Sequence, residues 1–164
     1  AIPISIKQLE NPHFIYEISQ VLQASSFAPS SLLLELRDHN IETSFDVLEK
    51  AFNMLQYLGI KLALDQFGGE SLSLRYLKMI QVNYLKTDVN LINDLLENAQ
   101  TKTLLKSMQQ FANQLNIPLI VSGVETMEQA NVLRQIGCQL FQGSAFCEPV
   151  SHDLIARMSE LQVS

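Results

Sequence analysis

Cysteine is scarce in this chain. Its 164 residues include two, Cys138 and Cys147. They are too few and too irregularly placed for a disulfide framework, and no CxxC pair offers half of a zinc site. They read as reduced packing thiols in a cytosolic protein. Positive charge is also in short supply: 11 Lys and Arg stand against 17 Asp and Glu, for a net charge of -6 with no basic run. A broad basic face for a nucleic acid polymer or an acidic membrane is therefore not expected. No apolar run is long enough to span a bilayer and no signal peptide stands at the start, so no direct membrane contact is expected. The expected location is the cytoplasm, either free or within a membrane-tethered protein. No low-complexity stretch or composition shift divides the chain.

What is present suits a globular fold. The hydrophobic content of 47% and the length allow one domain with a substantial core. The chain opens in IPISI, which already reads as a strand and gives it the look of a piece of a longer protein. The most informative stretch is Ile60 to Leu74, IKLALDQFGGESLSL. A nearly unbroken apolar strand runs into Asp65, then Gly68 and Gly69 turn the backbone, and Ser71 can cap the next helix.

Five further stretches repeat that plan. Strands are expected at Ile2 to Ile6, Leu32 to Arg37, Val82 to Lys86, Ile117 to Ser122 and Cys138 to Gln142. Helices are expected from Asn11-Pro12 to Gln23, from the Thr43-Ser44 cap to Leu58, and over Leu72 to Met79. Others are expected over Asn90 to Glu97, Thr103 to Leu115, from Thr126 to Ile136, and over Asp153 to Leu161. Phe27 to Ser31 reads as a loop, and Gly59 and Gly137 sit where helices stop. Six β-α units in a row build a parallel α/β sheet, as either a (β/α) barrel or an open doubly wound sheet. Polar residues at nearly every strand exit favour a barrel mouth, although six strands fall short of the usual eight.

The strand-end residues form one set: Glu35 and Arg37, Asp65, Lys86 and Asp88, Ser122 with Glu125 beyond it, and Gln142. If Asp65 points inward, so does Ala63, and the same parity puts Leu33, Tyr84, Ile120 and Leu140 in the inner layers. Carboxylates beside a lysine at such a rim suit a hard divalent metal acting on a phosphate ester. Each residue also has a plainer reading. Asp65 can cap a turn, Glu35 with Arg37 and Lys86 with Asp88 can be structural pairs, and Gln142 can be a satisfied buried amide. Glu125 can be a first-turn helix acid. His13, His39 and His152 read as surface residues, and Met54, Met79 and Met108 as core.

The order of the pieces resembles the EAL family, bacterial phosphodiesterases that open cyclic di-GMP. IKQLENPHF is similar to SxxQLxxPxF, LELRD to the E-x-T-E strand and LALDQFGGESLSLRYL to DDFGTGYSSLxxL. Likewise LKTD is similar to KID, SGVET to EGVET and GCQLFQGSAFCEPV to GCxxxQGYxFxxP. The resemblance implies a TIM-like barrel, incomplete here because the first two strands, with the E-A-L glutamate, would fall before Ala1. All 164 residues then form a single EAL-like domain, about the C-terminal three-quarters of the family's domain. It further implies Glu35 and Asp65 as metal ligands, Lys86 near the attacking water with Asp88 as its neighbour, Glu125 supporting a loop, and Gln142 at the ligand. Pro3 stands where an asparagine is expected, Gln66 for the second aspartate, Ser122 for the first glutamate of EGVE and Arg37 for threonine.

Two carboxylates thus become neutral, and a cation enters the mouth. Arg37 can repel a metal, pair with Glu35 or Asp65, or bind a phosphate. The expectation is a pseudo-enzyme with vestigial catalytic residues Lys86, Asp88 and Glu125, ligand contacts at Arg37, Asp65 and Gln142, and no cofactor. It would serve as a cyclic di-GMP receptor or a protein-interaction module. Its expected partners are a protein or a second copy paired through open strand edges, and a flanking sensor or GGDEF-type domain. The alternative is an active phosphodiesterase with Mg²⁺ or Mn²⁺ and a glutamate supplied upstream.

Overall fold

A computed structural model describes residues 1–37, 45–69, 77 and 81–148, with only the backbone of Phe45 described. The expected Thr43-Ser44 cap, the helices at Leu72 to Met79 and Asp153 to Leu161, and His39, His152 and Met79 fall outside them. Six strands form one sheet: β1 (Ile2–Ile4), β2 (Leu33–Leu36), β3 (Lys61–Phe67), β4 (Tyr84–Thr87), β5 (Leu119–Ser122) and β6 (Leu140–Gln142). All pairings are parallel and the spatial order is the chain order. A doubly wound sheet reverses its order at a switch point. This sheet has no reversal, so the architecture is α/β with a TIM-like curl, an incomplete barrel within the described residues.

Among the described residues five helices accompany the strands: α1 (Ile6–Glu10), α2 (Pro12–Ser25), α3 (Phe45–Tyr57), α4 (Ala99–Gln114) and α5 (Met127–Gln135). Asn11 caps α2 with Pro12 in its first turn, and Thr126 closes a reciprocal capping box with Gln129 on α5, as their sequences suggest. The first strand is shorter than expected because Ser5 and Gln8 form a second capping box that starts α1 directly. Asn90 to Glu97 is not a helix: a 3₁₀ turn covers Val89–Ile92, capped by Asp88, and α4 begins earlier than Thr103, at Asn98-capped Ala99. A second 3₁₀ turn, Pro29–Ser31, interrupts the expected loop.

The helix-facing side of the sheet carries the core. Leu34, Leu36, Leu62, Leu64, Leu85 and Leu119 pack there against Leu48, Leu55 and Met108. A second cluster, including Ile92, Leu105, Val121, Val124 and Leu133, fills the space beneath α4 and α5. Met54 is 54% exposed and so does not belong to the core, and Val21 points to solvent as well. On the other face the register aligns Glu35 with Ala63 and Tyr84, and Lys86 with Ile120 and Leu140. The inward parity holds, but Leu140 is 39% exposed on an edge strand, so the inner layer is not sealed there.

Cys138 is buried and Cys147 exposed, so only the first packs as expected. Burial pushes the Cys138 thiol from an ordinary 9.0 to about 11. Its neutral form therefore favours the fold below the ordinary value, and that contribution is lost as pH rises through about 11. At pH near 8, iodoacetamide is expected to modify Cys147 alone, with Cys138 reacting only on unfolding; mass spectrometry of the alkylated chain reads the difference.

Candidate functional site

The inner mouth is built on β2, β3 and β4. Arg37 comes directly after the last residue of β2, and its backbone N–H donates to Ile4 O at 3.1 Å, so β1 fixes where its side chain starts. Asp65 lies in β3 two residues past Ala63, and Lys86 lies in β4 two residues past Tyr84. Strand side chains alternate, so Glu35, Arg37, Asp65 and Lys86 all rise from the inner face.

A bulge sets the position of Asp65. Leu64 aligns with Leu85, but Phe67, three residues on, aligns with Thr87, only two residues on. The extra residue is Gln66, in the left-handed region at φ +61. In a regular strand Asp65 and Phe67 would share a face. The bulge instead leaves Asp65 inward and turns Phe67 outward, where it is buried and stacks on Phe111 with centroids 5.7 Å apart. The strand therefore runs past Asp65 rather than ending at it. The freed backbone N–H of Gln66 donates to Asp65 Oδ1 at 2.9 Å.

Four charges meet here. Arg37 Nε donates to Asp65 Oδ2 at 2.6 Å, and Lys86 Nζ donates to Glu35 Oε2 at 2.7 Å with Asp65 Oδ1 4.0 Å away. Glu35, Asp65 and Lys86 are each about 95% or more buried, whereas the Arg37 side chain is 55% exposed. The Asp65 hydrogen bond raises the Arg37 guanidinium above its ordinary value, with burial opposing it. Lys86 and Glu35 stand two strands apart, about 10 Å between their backbones. They meet because the residue between them in Glu35's row is Ala63, whose side chain leaves the space above it open. The pairs thus run across strands: Arg37 with Asp65 and Lys86 with Glu35, not Glu35 with Arg37 or Lys86 with Asp88.

The other candidates stand apart from this cluster. Asp88 Oδ1 accepts from Asn90 N at 2.8 Å, capping the 3₁₀ turn. Its Oδ2 lies 2.8 Å, and the Gln66 backbone oxygen 3.1 Å, from where a Cβ on Gly69 would fall, so a side chain there would be crowded. Glu125 is exposed ahead of Thr126; its backbone N–H donates to Gln129 Oε1, and its side chain touches none of the four charges. Gln142 is exposed rather than buried, and its backbone oxygen accepts from Val124 N. The Ser122 hydroxyl is buried without a partner among the described residues, while its N–H donates to Thr87 Oγ1, a contact with no signal in the sequence. His13 is exposed, as expected.

Magnesium or manganese would need several carboxylate or carbonyl oxygens free to converge on one point. Both oxygens of Asp65 already accept, from Arg37 and from Gln66 N, and Glu35 holds Lys86. Asp88 is turned to its cap, and Gln66 and Ser122 bring no charge. Among the described residues no three His, Cys, Asp or Glu side chains gather. These residues do not fit a divalent metal site.

The EAL domain family matches residues 1–149. The chain belongs to that family. It is 27% identical to the bifunctional diguanylate cyclase/cyclic di-GMP phosphodiesterase MucR of Pseudomonas aeruginosa, over 92% of this chain and 22% of that protein. Among solved structures it is similar to the EAL enzyme Bd1971 in its cAMP- and cyclic-di-GMP-bound form. The TM-score there is 0.86 and the identity 25%, over 96% of this chain and 42% of that one. Klebsiella pneumoniae BlrP1 in a manganese/cyclic-di-GMP complex gives a TM-score of 0.76 at 28% identity, over 86% of this chain and 37% of that one. The chain spans about a fifth of the length of the curated relatives it matches. Both of these solved structures hold cyclic di-GMP, and the BlrP1 complex also holds manganese.

Breaking a buried ion pair leaves one charge without its partner, which typically costs about 3–5 kcal/mol, whereas replacing both partners with apolar groups is often neutral or stabilising. Lys86→Met is therefore expected to destabilise the EAL chain by about 3–5 kcal/mol. Adding Glu35→Leu to it should restore most or all of the loss, as read by urea unfolding.

Proposed function

We propose that this chain is a degenerate EAL domain that keeps the barrel without the hydrolase chemistry and serves a bacterial signalling protein as a cyclic di-GMP receptor. The observation behind this reading is the Arg37–Asp65 pair. A tethered guanidinium occupies the carboxylate that the family resemblance assigns to metal. Lys86, which the resemblance places near an attacking water, is drawn onto Glu35. With both carboxylates paired to the protein's own cations, neither is left free among the described residues to help a metal activate water. In this proposal Glu35 and Asp65 are vestigial metal ligands, Lys86, Asp88 and Glu125 are vestigial catalytic positions, and Arg37, Asp65 and Gln142 border the ligand.

The alternative is an active phosphodiesterase using Mg²⁺ or Mn²⁺, and it has one observation in its favour: Glu35, Asp65 and Lys86 still converge on one point. The share of its relatives that the chain covers supports a setting among other domains, such as a sensor or a GGDEF-type cyclase. β1 and β6 each pair on one side only among the described residues, and in this proposal a protein partner or a second copy pairs there where no upstream strand does.

Incubation with cyclic di-GMP and either Mg²⁺ or Mn²⁺ is expected to yield no linear pGpG above a no-protein control. Product that forms with metal and vanishes on Asp65→Ala would establish the phosphodiesterase instead.

A further inference from the structure

Only one of the guanidinium nitrogens of Arg37 is engaged. Nε is held at 2.6 Å on Asp65, and among the described residues neither terminal nitrogen has a partner. More than half of the side chain is exposed. The anchoring carboxylate is itself fixed on both sides, because Asp65 is 3% exposed and Oδ1 takes the Gln66 backbone N–H from the bulge. A guanidinium is planar, so fixing Nε on a rigid partner restricts the whole fork, with its two terminal nitrogens left available. That fork matches two oxygens of a phosphodiester, and its geometry is set before any ligand arrives.

We propose that Arg37 is a metal-independent phosphodiester clamp. Its terminal nitrogens take two non-bridging phosphate oxygens of a cyclic dinucleotide, while Asp65 works from beneath as the residue that positions the guanidinium. This inference rests on the receptor reading above and deepens it. Arg37 would do for the ligand's charge what a metal bridge does between two anions, and it would do so without asking Glu35 or Asp65 for a free oxygen. Lysine in its place would keep the charge, but its single ammonium would be committed to Asp65 and could not form the fork.

Calorimetric titration of the protein with cyclic di-GMP, in excess EDTA and in Mg²⁺, tests the clamp. The expected result is binding of equal strength in both buffers, weakened at least about tenfold by Arg37→Lys, as the loss of charge-assisted hydrogen bonds predicts. A thermal melt of the variant should stay near wild type; if Arg37→Lys does not fold, Arg37→Gln combined with Asp65→Asn, which removes both charges of the pair, takes its place. The EDTA comparison needs the wild-type protein alone. Binding that EDTA abolishes would overturn the clamp and leave the receptor reading standing, as would undiminished binding by the variants. No heat from the wild-type protein in either buffer would overturn both.

Discussion

Two buried carboxylates, Glu35 and Asp65, share a parallel sheet's inner face, and the site depends on how their charge is balanced. Burying either without a partner would cost several kcal/mol or more, because a carboxylate moved out of water loses its hydration. The chain meets this with two cations from neighbouring strands. Lys86 arrives over Ala63 to Glu35, and Arg37 arrives from the end of β2 to Asp65. The result is an alternating set of two positive and two negative groups across three adjacent strands. A metal bound at this mouth would first have to displace one of those cations.

The backbone makes this balance possible. Parallel register with a consecutive strand order brings the exits of β2, β3 and β4 side by side. The bulge at Gln66 aims Asp65 inward while returning Phe67 to the core, so one extra residue serves both the site and the packing. The same bulge gives Asp65 a backbone donor, so its Oδ1 accepts from the Gln66 N–H. A neutral side chain at position 66 is consistent with that geometry, since the group that reaches Asp65 from Gln66 is its amide N–H.

Much of the fold is legible in the sequence. Each strand shows as an apolar run, and Asn11, Thr126, Gly59 and Gly137 mark helix ends through cap and turn chemistry that acts over a few residues. Short elements escape: α1 has five residues, too few for a helical period to declare itself, and the 3₁₀ turn at Val89–Ile92 resembles a helix start that is not continued. The parity of Glu35, Ala63, Asp65 and Lys86 can be read because strand alternation is strict. Their pairing cannot. Residues two apart on one strand look like partners in a linear chain, yet Arg37 reaches Asp65 28 positions away and Lys86 reaches Glu35 51 positions away. Register and a bulge decide that, and neither has a local sequence signature here. The exposure of Gln142 is hidden for the same reason, since an edge strand exposes a side chain that an interior strand would bury.

Family membership accounts for the barrel, and the side chains at its mouth decide how the two carboxylates are held. Arg37 matters most in the proposed reading, since it holds Asp65, the carboxylate that the resemblance assigns to a metal, in a protein salt bridge. Manganese titration followed by electron paramagnetic resonance tests that claim most directly, because free Mn²⁺ gives a signal that bound Mn²⁺ loses. Undiminished free signal at equimolar protein is the predicted result, and stoichiometric loss of that signal, abolished by Asp65→Ala, would contradict the account.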